Sequence, residues 1–187
     1  MSSPSKPGVS RVPVWLLDID GVVNAACRSF PTHAWPKETW REIEAEDEEG
    51  LTWPIKVARP VIDFIKGVHE SGRAEIRWHT TWQEYAVDVG RQVGLPDFAV
   101  QEAPEYKGIG AYDWWKKPAA RRVLAEEGRD LVWTDDDADM KLGRQGRTEL
   151  ASLGRLLIVC PATRTGLCKK HLRRIGQFLG DTVGERR

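Results

Sequence analysis

The sequence predicts an α/β domain built on a doubly wound, mostly parallel five-stranded sheet, and three observations predict it. Short apolar runs rich in β-branched and aliphatic residues recur at positions 14–19, 74–78, 130–133 and 156–159. Near-continuous runs of that kind suit strands buried on both faces of a parallel sheet. Helical patterns fall between them, and strands alternating with helices make βαβ units. A chain of 187 residues has the size of one domain with room for a small insertion.

The first strand, 14–19, follows a Ser-, Pro- and Gly-rich lead-in over residues 1–12 whose composition predicts disorder. Residues 25–56 then break the alternation of strand and helix. Trp40, Ile43 and Ala45 lead into an acidic turn at 46–50, after which Leu51, Trp53, Ile55 and Val57 alternate. That pattern predicts a β-hairpin flap inserted after the first strand. In 60–69, Val61, Ile62, Ile65 and Val68 recur at three- and four-residue steps and Gly72 closes a helix. After the strand at 74–78, Tyr85, Ala86, Val89 and Val93 carry a helix from Trp82 until Gly94 and Pro96 end it. A weaker strand at 98–101 makes the fifth. Pro118 suits the first position of a helix running to Glu127, with Gly128 just past its end. Beyond the last two strands, Leu172, Ile175 and Leu179 mark a basic helix, and 181–187 reads as a flexible tail. The domain is expected to span 13–180.

Lys plus Arg and Asp plus Glu both number 28, so no net field concentrates nucleic acid or a membrane surface. No stretch approaches the roughly 20 apolar residues that cross a bilayer, and the start of the chain lacks a signal-peptide run. A soluble, cytoplasmic protein is the expectation, with no membrane and no obligate protein partner. Cys27, Cys160 and Cys168 are odd in number and widely spaced, which suits reduced thiols.

Ligands of open α/β sheets bind beyond the carboxyl ends of the strands, so the polar residues there carry the functional argument. The first strand ends in Asp18-Ile19-Asp20-Gly21, the second in His79-Thr80-Thr81 and the fourth in Thr134-Asp135-Asp136-Asp137. Lys116 and Lys117 open the helix between the third and fourth strands. Asp18 and Asp20 can both face one cleft if the chain turns after the first, a turn that Gly21 permits. Carboxylates gathered from two strands repel one another unless a hard divalent cation sits among them, and oxygen ligands with room for water and phosphate suit Mg²⁺. A Thr80 hydroxyl and a lysine ammonium can then hold phosphoryl oxygens.

This ordered set resembles the haloacid dehalogenase superfamily of phosphohydrolases. The run from Val14 to Asn24, an apolar strand followed by DxDG, is similar to the family's first motif. Ile76 to Thr80 resembles the second, Lys116 the third-motif lysine, and Leu131 to Asp136 the fourth, a strand ending in paired acids. WLLDIDGVVN, WHTTW, WWKKP and VWTDDD together resemble a bacterial subgroup related to phosphatase domains of RNA-repair proteins. The resemblance implies a Mg²⁺-dependent phosphatase in which Asp18 is the nucleophile and forms an aspartyl-phosphate. It makes Asp20 the general acid and base, and Thr80 and Lys116 the binders of the transferring group. Metal would fall to Asp18, the backbone carbonyl of Asp20, Asp135 and Asp136. The substrate it implies is a phosphorylated small molecule or a nucleic-acid end. Lys117 can replace Lys116, and Asp137 or Asp139 can share the metal. Other readings are a non-catalytic module that binds a phosphorylated ligand, and a phosphotransferase.

Several signals have plainer readings. Asp135 to Asp137 can be a solvated turn capping a helix, and Thr80 a helix cap. A lysine at a helix start opposes the macrodipole, which hints that Lys116 serves a ligand. His79 is either a cleft residue or a hydrogen-bonded structural histidine. Cys160, Cys168 and His171 lack a fourth zinc ligand. The run Lys169, Lys170, His171, Arg173 and Arg174 is either a solvated helix face or a phosphate-binding one. Trp35, Trp40, Trp53, Trp82, Trp114 and Trp115 either stack on a base or sugar or pack the flap against the core.

Overall fold

The computed structural model of the chain describes residues 12–108 and 114–180. The lead-in and tail predicted at 1–12 and 181–187 lie outside them, Val12 excepted. Five short strands form one sheet: β1 (Val14–Leu17), β4 (Glu75–Trp78), β5 (Ala99–Val100), β6 (Leu131–Thr134) and β7 (Leu156–Val159). Their order is β5-β4-β1-β6-β7 and every pairing is parallel. Strands β2 (Trp40–Glu46) and β3 (Thr52–Ala58) make a separate antiparallel hairpin.

Alternate side chains of the sheet go to opposite faces and build two cores. Trp15, Leu17, Ile76, Trp78, Val132 and Val159 share one cluster with α1 (Arg59–Glu70), α2 (Tyr85–Val93) and α5 (Lys169–Gly180). Val14, Leu16, Leu131, Trp133 and Ile158 share the other with α3 (Lys116–Ala125) and α4 (Ala138–Ala151). The sheet is thus covered on both faces, as its apolar strands require. Each fully buried Val, Leu or Ile contributes about 1.5–3 kcal/mol, and α1 alone buries Val61, Ile62, Ile65 and Val68.

The chain builds outward from β1 through β4 to β5, then crosses back to place β6 on the other side of β1. The order reverses at β1, and the crevice beyond its carboxyl end, toward β6, is where such sheets take ligands.

Several element bounds differ from expectation. The mostly parallel sheet is wholly parallel, and the strand expected at 98–101 shrinks to two residues. The helix expected from Pro118 starts at Lys116 and ends at Ala125. Proline is tolerated throughout a first turn because those N–H groups have no partner within the helix. The helix expected from Trp82 begins at Tyr85, after a turn in which Gln83 takes φ +46° and donates from its amide N–H and side chain to the Thr80 carbonyl. The hairpin occupies 40–58 and runs directly into α1, whereas the insertion was bounded at 25–56. Helix α4 follows the acidic turn where the capping reading of Asp135 to Asp137 puts a helix, though no apolar period marks it in the sequence. It is polar, buries only Ala138, Leu142, Gly146 and Leu150, and is interrupted at Gly143, where φ is +56°.

Candidate active site

Three strand ends deliver the site. The Asp18 N–H donates to the Thr134 carbonyl, the His79 N–H to the Leu17 carbonyl and the Asp135 N–H to the Val159 carbonyl. These bonds extend the sheet ladder one residue past the strands, so Asp18, His79 and Asp135 occupy a common layer. Carboxylate oxygens of Asp18, Asp135 and Asp136 lie within 4.8 Å of one another. Asp18 and Asp135 are buried and Asp136 is half-buried.

Gly21 allows this approach. Its φ is +69°, and a Cβ added there would fall 2.2 Å from the Asp136 Oδ2. Both the left-handed backbone and the missing side chain are needed at this position. Asp18 Oδ1 accepts the Ile19 N–H and Asp135 Oδ1 the Asp137 N–H, which fixes the two carboxylates.

Lys116, at the start of α3 and buried, donates to Asp18 Oδ2 and, at 2.6 Å, to Asp135 Oδ2. Its ammonium sits 5.8 Å from the Trp115 ring centroid. Lys117 points away and pairs with Glu149 on the surface. Of the two lysines, Lys116 is the one that reaches the carboxylates. Burial and the neighbouring Asp135 charge push the Asp18 carboxyl up, and Lys116 opposes that shift. Burial likewise raises Asp136, with help from Asp135 and Asp137. One ammonium among three carboxylates leaves the cluster net negative in a dry site, the setting in which a divalent cation gains most.

Asp20 stands apart from that trio and faces a neighbouring cleft of about 920 Å³. Its Oδ1 accepts the Asn24 side-chain amide and its Oδ2 the Trp82 indole N–H, both at 2.8 Å. The Asn24 Oδ1 in turn accepts the Lys56 N–H of β3. Asp20 is thus held between the turn after β4 and the hairpin. Asn24 and Trp82 close the runs WLLDIDGVVN and WHTTW in the sequence, but their grip on Asp20 needs the fold.

Thr80 follows β4 beside β1 and is fully buried, with its hydroxyl accepting the Trp82 N–H at 3.4 Å. It therefore caps a turn at the edge of the site and makes no direct bond to Lys116 or the carboxylates. His79 is buried against Trp115, with ring centroids 5.1 Å apart and planes at 87°. Burial holds its imidazole well below the usual histidine range, and the charges of Lys116 and Arg122 add to the effect. Among the described residues nothing pairs with either ring nitrogen, so the hydrogen-bonded reading is corrected: the ring is packed, not bonded.

Asp137 and Asp139 do not join the trio, and Asp139 pairs with Arg147. Asp137 occupies the cap position of α4 without a capping bond from its side chain. Cys168 and His171 approach one another, but no cluster with Cys160 forms among the described residues. Trp35 and Trp40 are core, as the donation from Trp35 to the Leu167 carbonyl and the stacking of Phe30 on Trp40 show. Trp114 stacks on Trp133. Of the flap tryptophans, Trp53 alone is exposed. In α5, Lys169, Lys170, Arg173 and Arg174 are exposed while His171 is buried. Among the described residues no helix is long and apolar enough to cross a membrane. No protein-family model matches this chain, and no curated protein or solved structure matches it either.

Proposed function

We propose that this chain is a phosphomonoesterase of the haloacid dehalogenase type, with Asp18 as nucleophile, Asp20 as general acid and base, and Mg²⁺ as cofactor. The observation that carries the reading is the convergence of Asp18, Asp135 and Asp136 within 4.8 Å beside Lys116 at the point where the strand order reverses. The five parallel strands and the small hairpin after β1 fit that type of domain, as do the four motifs in their order along the chain.

The donor set fits a hard cation: three carboxylates offer oxygens within 4.8 Å of one another. Asp18, Asp135 and Asp136, with the Asp20 carbonyl, would hold Mg²⁺. Bound there, the ion would neutralise charge on the phosphoryl oxygens.

An Asp18 oxygen attacks phosphorus while the bond to the leaving oxygen breaks, and Asp20 gives that oxygen its proton. A water molecule then loses its proton to Asp20 and attacks the aspartyl-phosphate. The Asp18 oxygen–phosphorus bond breaks, releasing phosphate and restoring both carboxyl groups. Lys116 counters the charge that spreads over the transferring group.

Release of phosphate from 4-nitrophenyl phosphate tests the reading. Turnover that requires Mg²⁺ and disappears in Asp18→Asn is expected. A protein that binds phosphate and releases none from any phosphomonoester would instead be a non-catalytic module. Asp20→Asn is expected to slow turnover about 10²- to 10⁴-fold.

A further inference from the structure

The cleft beside Asp20 has a chemistry of its own. One wall is the hairpin, which presents Trp53 with 49% of its surface exposed. An exposed indole is normally mobile, yet this one is fixed, because its N–H donates to Asp47 Oδ2 at 2.6 Å. Asp47 is itself held by the Glu49 and Leu51 N–H groups, both 2.9 Å from its Oδ1. The result is a flat aromatic surface kept in place over open space.

The cleft is also lined by Arg28, from the loop after β1, and Arg164, from the loop after β7. Both are exposed, and among the described residues no carboxylate pairs with either. Lys56 also lines the cleft, but Glu42 occupies it at 2.8 Å. The two loops are tied together: the Leu167 N–H donates to the Val22 carbonyl and the Ala26 N–H to the Thr163 carbonyl. Gly166 permits that contact, since a Cβ there would stand 2.7 Å from the Val22 carbonyl oxygen. The guanidinium groups are therefore carried on braced loops.

Asp20 and the two residues that hold it, Asn24 and Trp82, line the same cleft. If Asp20 protonates the leaving oxygen, the leaving group itself lies in this space. We propose that the cleft is a leaving-group subsite for phosphomonoesters that carry a planar ring and a second anionic group, as a nucleoside bisphosphate does. The ring lies on Trp53 and the second anion is met by Arg28 and Arg164. The inference rests on the phosphatase reading and adds the class of substrate. Stacking on an exposed ring and charge-assisted bonds from guanidinium groups are the two recognition modes involved.

The test compares kcat/KM for ribose 5-phosphate, adenosine 5′-monophosphate and adenosine 3′,5′-bisphosphate. Each step of that series is expected to gain about tenfold. Trp53→Ala should collapse the first step, and Arg28→Gln with Arg164→Gln the second. A 5′-phosphorylated dinucleotide, which offers the same ring and second anion within a chain, distinguishes a polynucleotide end from a free nucleotide by whether it exceeds the bisphosphate. Equilibrium dialysis of the bisphosphate against Asp18→Asn protein, with and without Trp53→Ala, reads the subsite independently of turnover. Hydrolysis of 4-nitrophenyl phosphate with no gain along the series would overturn the subsite and leave the phosphatase reading intact. Binding that depends on Trp53, with no hydrolysis of any ester, would overturn the phosphatase reading and with it the leaving-group assignment, leaving a cleft that only binds the ring and anion.

Discussion

Gly21 and Lys116 are the residues on which the acidic cluster depends, and they fail in different ways. Gly21→Ala puts a methyl group where the Asp136 carboxylate lies and forces an L residue into φ +69°. A loss of about 2 kcal/mol or more in urea denaturation, with a drop in metal-dependent turnover, is expected. Lys116→Met leaves Asp18 and Asp135 buried and facing one another without their shared ammonium. Breaking a buried pair in this way costs about 3–5 kcal/mol, whereas Lys117→Met removes only a surface pair and should cost under about 1 kcal/mol. Thermal melts of the two variants side by side check the contrast. MgCl₂ should raise the melting temperature of the wild-type protein and leave that of Asp135→Asn unmoved, because ligand binding to the native state stabilises by mass action. Asp18 and Asp135 were legible in the sequence because an acid directly after an apolar run must sit at a strand's end. The closeness of Asp136 to Gly21 was not, since it arises from a turn meeting a loop 115 positions away.

Elements differ in how plainly the sequence announced them, and burial explains the differences. Helix α1 repeats apolar residues on one face, so its period could be read directly. Helix α4 lies over the other face with only four buried positions and a break at Gly143, which leaves too little periodicity to detect. The hairpin was read from alternation around its acidic turn, but its continuation to Ala58 depends on pairing with Trp40. Beyond the amino end of the sheet, a charge network ties β4 to the turn after α3. Arg77 donates to Glu75 and, through both terminal nitrogens, to Glu127, while Arg129 also reaches Glu75. Hydrogen bonds from Arg77 lower the Glu127 carboxyl; burial tends to raise Glu75, but Arg77 and Arg129 outweigh it. A carboxylate lowered on folding stabilises the native state above its unfolded value and ceases to do so as pH falls through the folded one. Stability is therefore expected to fall as pH drops below about 4.5, the ordinary Glu value. Arg77→Ala should flatten that acid limb and cost about 1–2 kcal/mol at neutral pH, read from denaturation midpoints across a pH series.

At the level of the whole molecule, the strand order places β1 between two strands that follow it much later in the chain. Leu17 pairs with Trp78 on one side and with Thr134 on the other. Such distant pairings make closure entropy, more than local preference, the hurdle in folding. A fragment ending before β6 leaves one side of β1 without a partner and should show no protected amide core in hydrogen exchange. The same wiring bears on biosynthesis. While the chain is still emerging from the ribosome, Asp18 stays hydrated, with Asp20 the one motif carboxylate near it, and the crowding of buried acids is deferred until Asp135 and Lys116 arrive. The acidic cluster therefore comes into being only when the last third of the polypeptide closes the sheet.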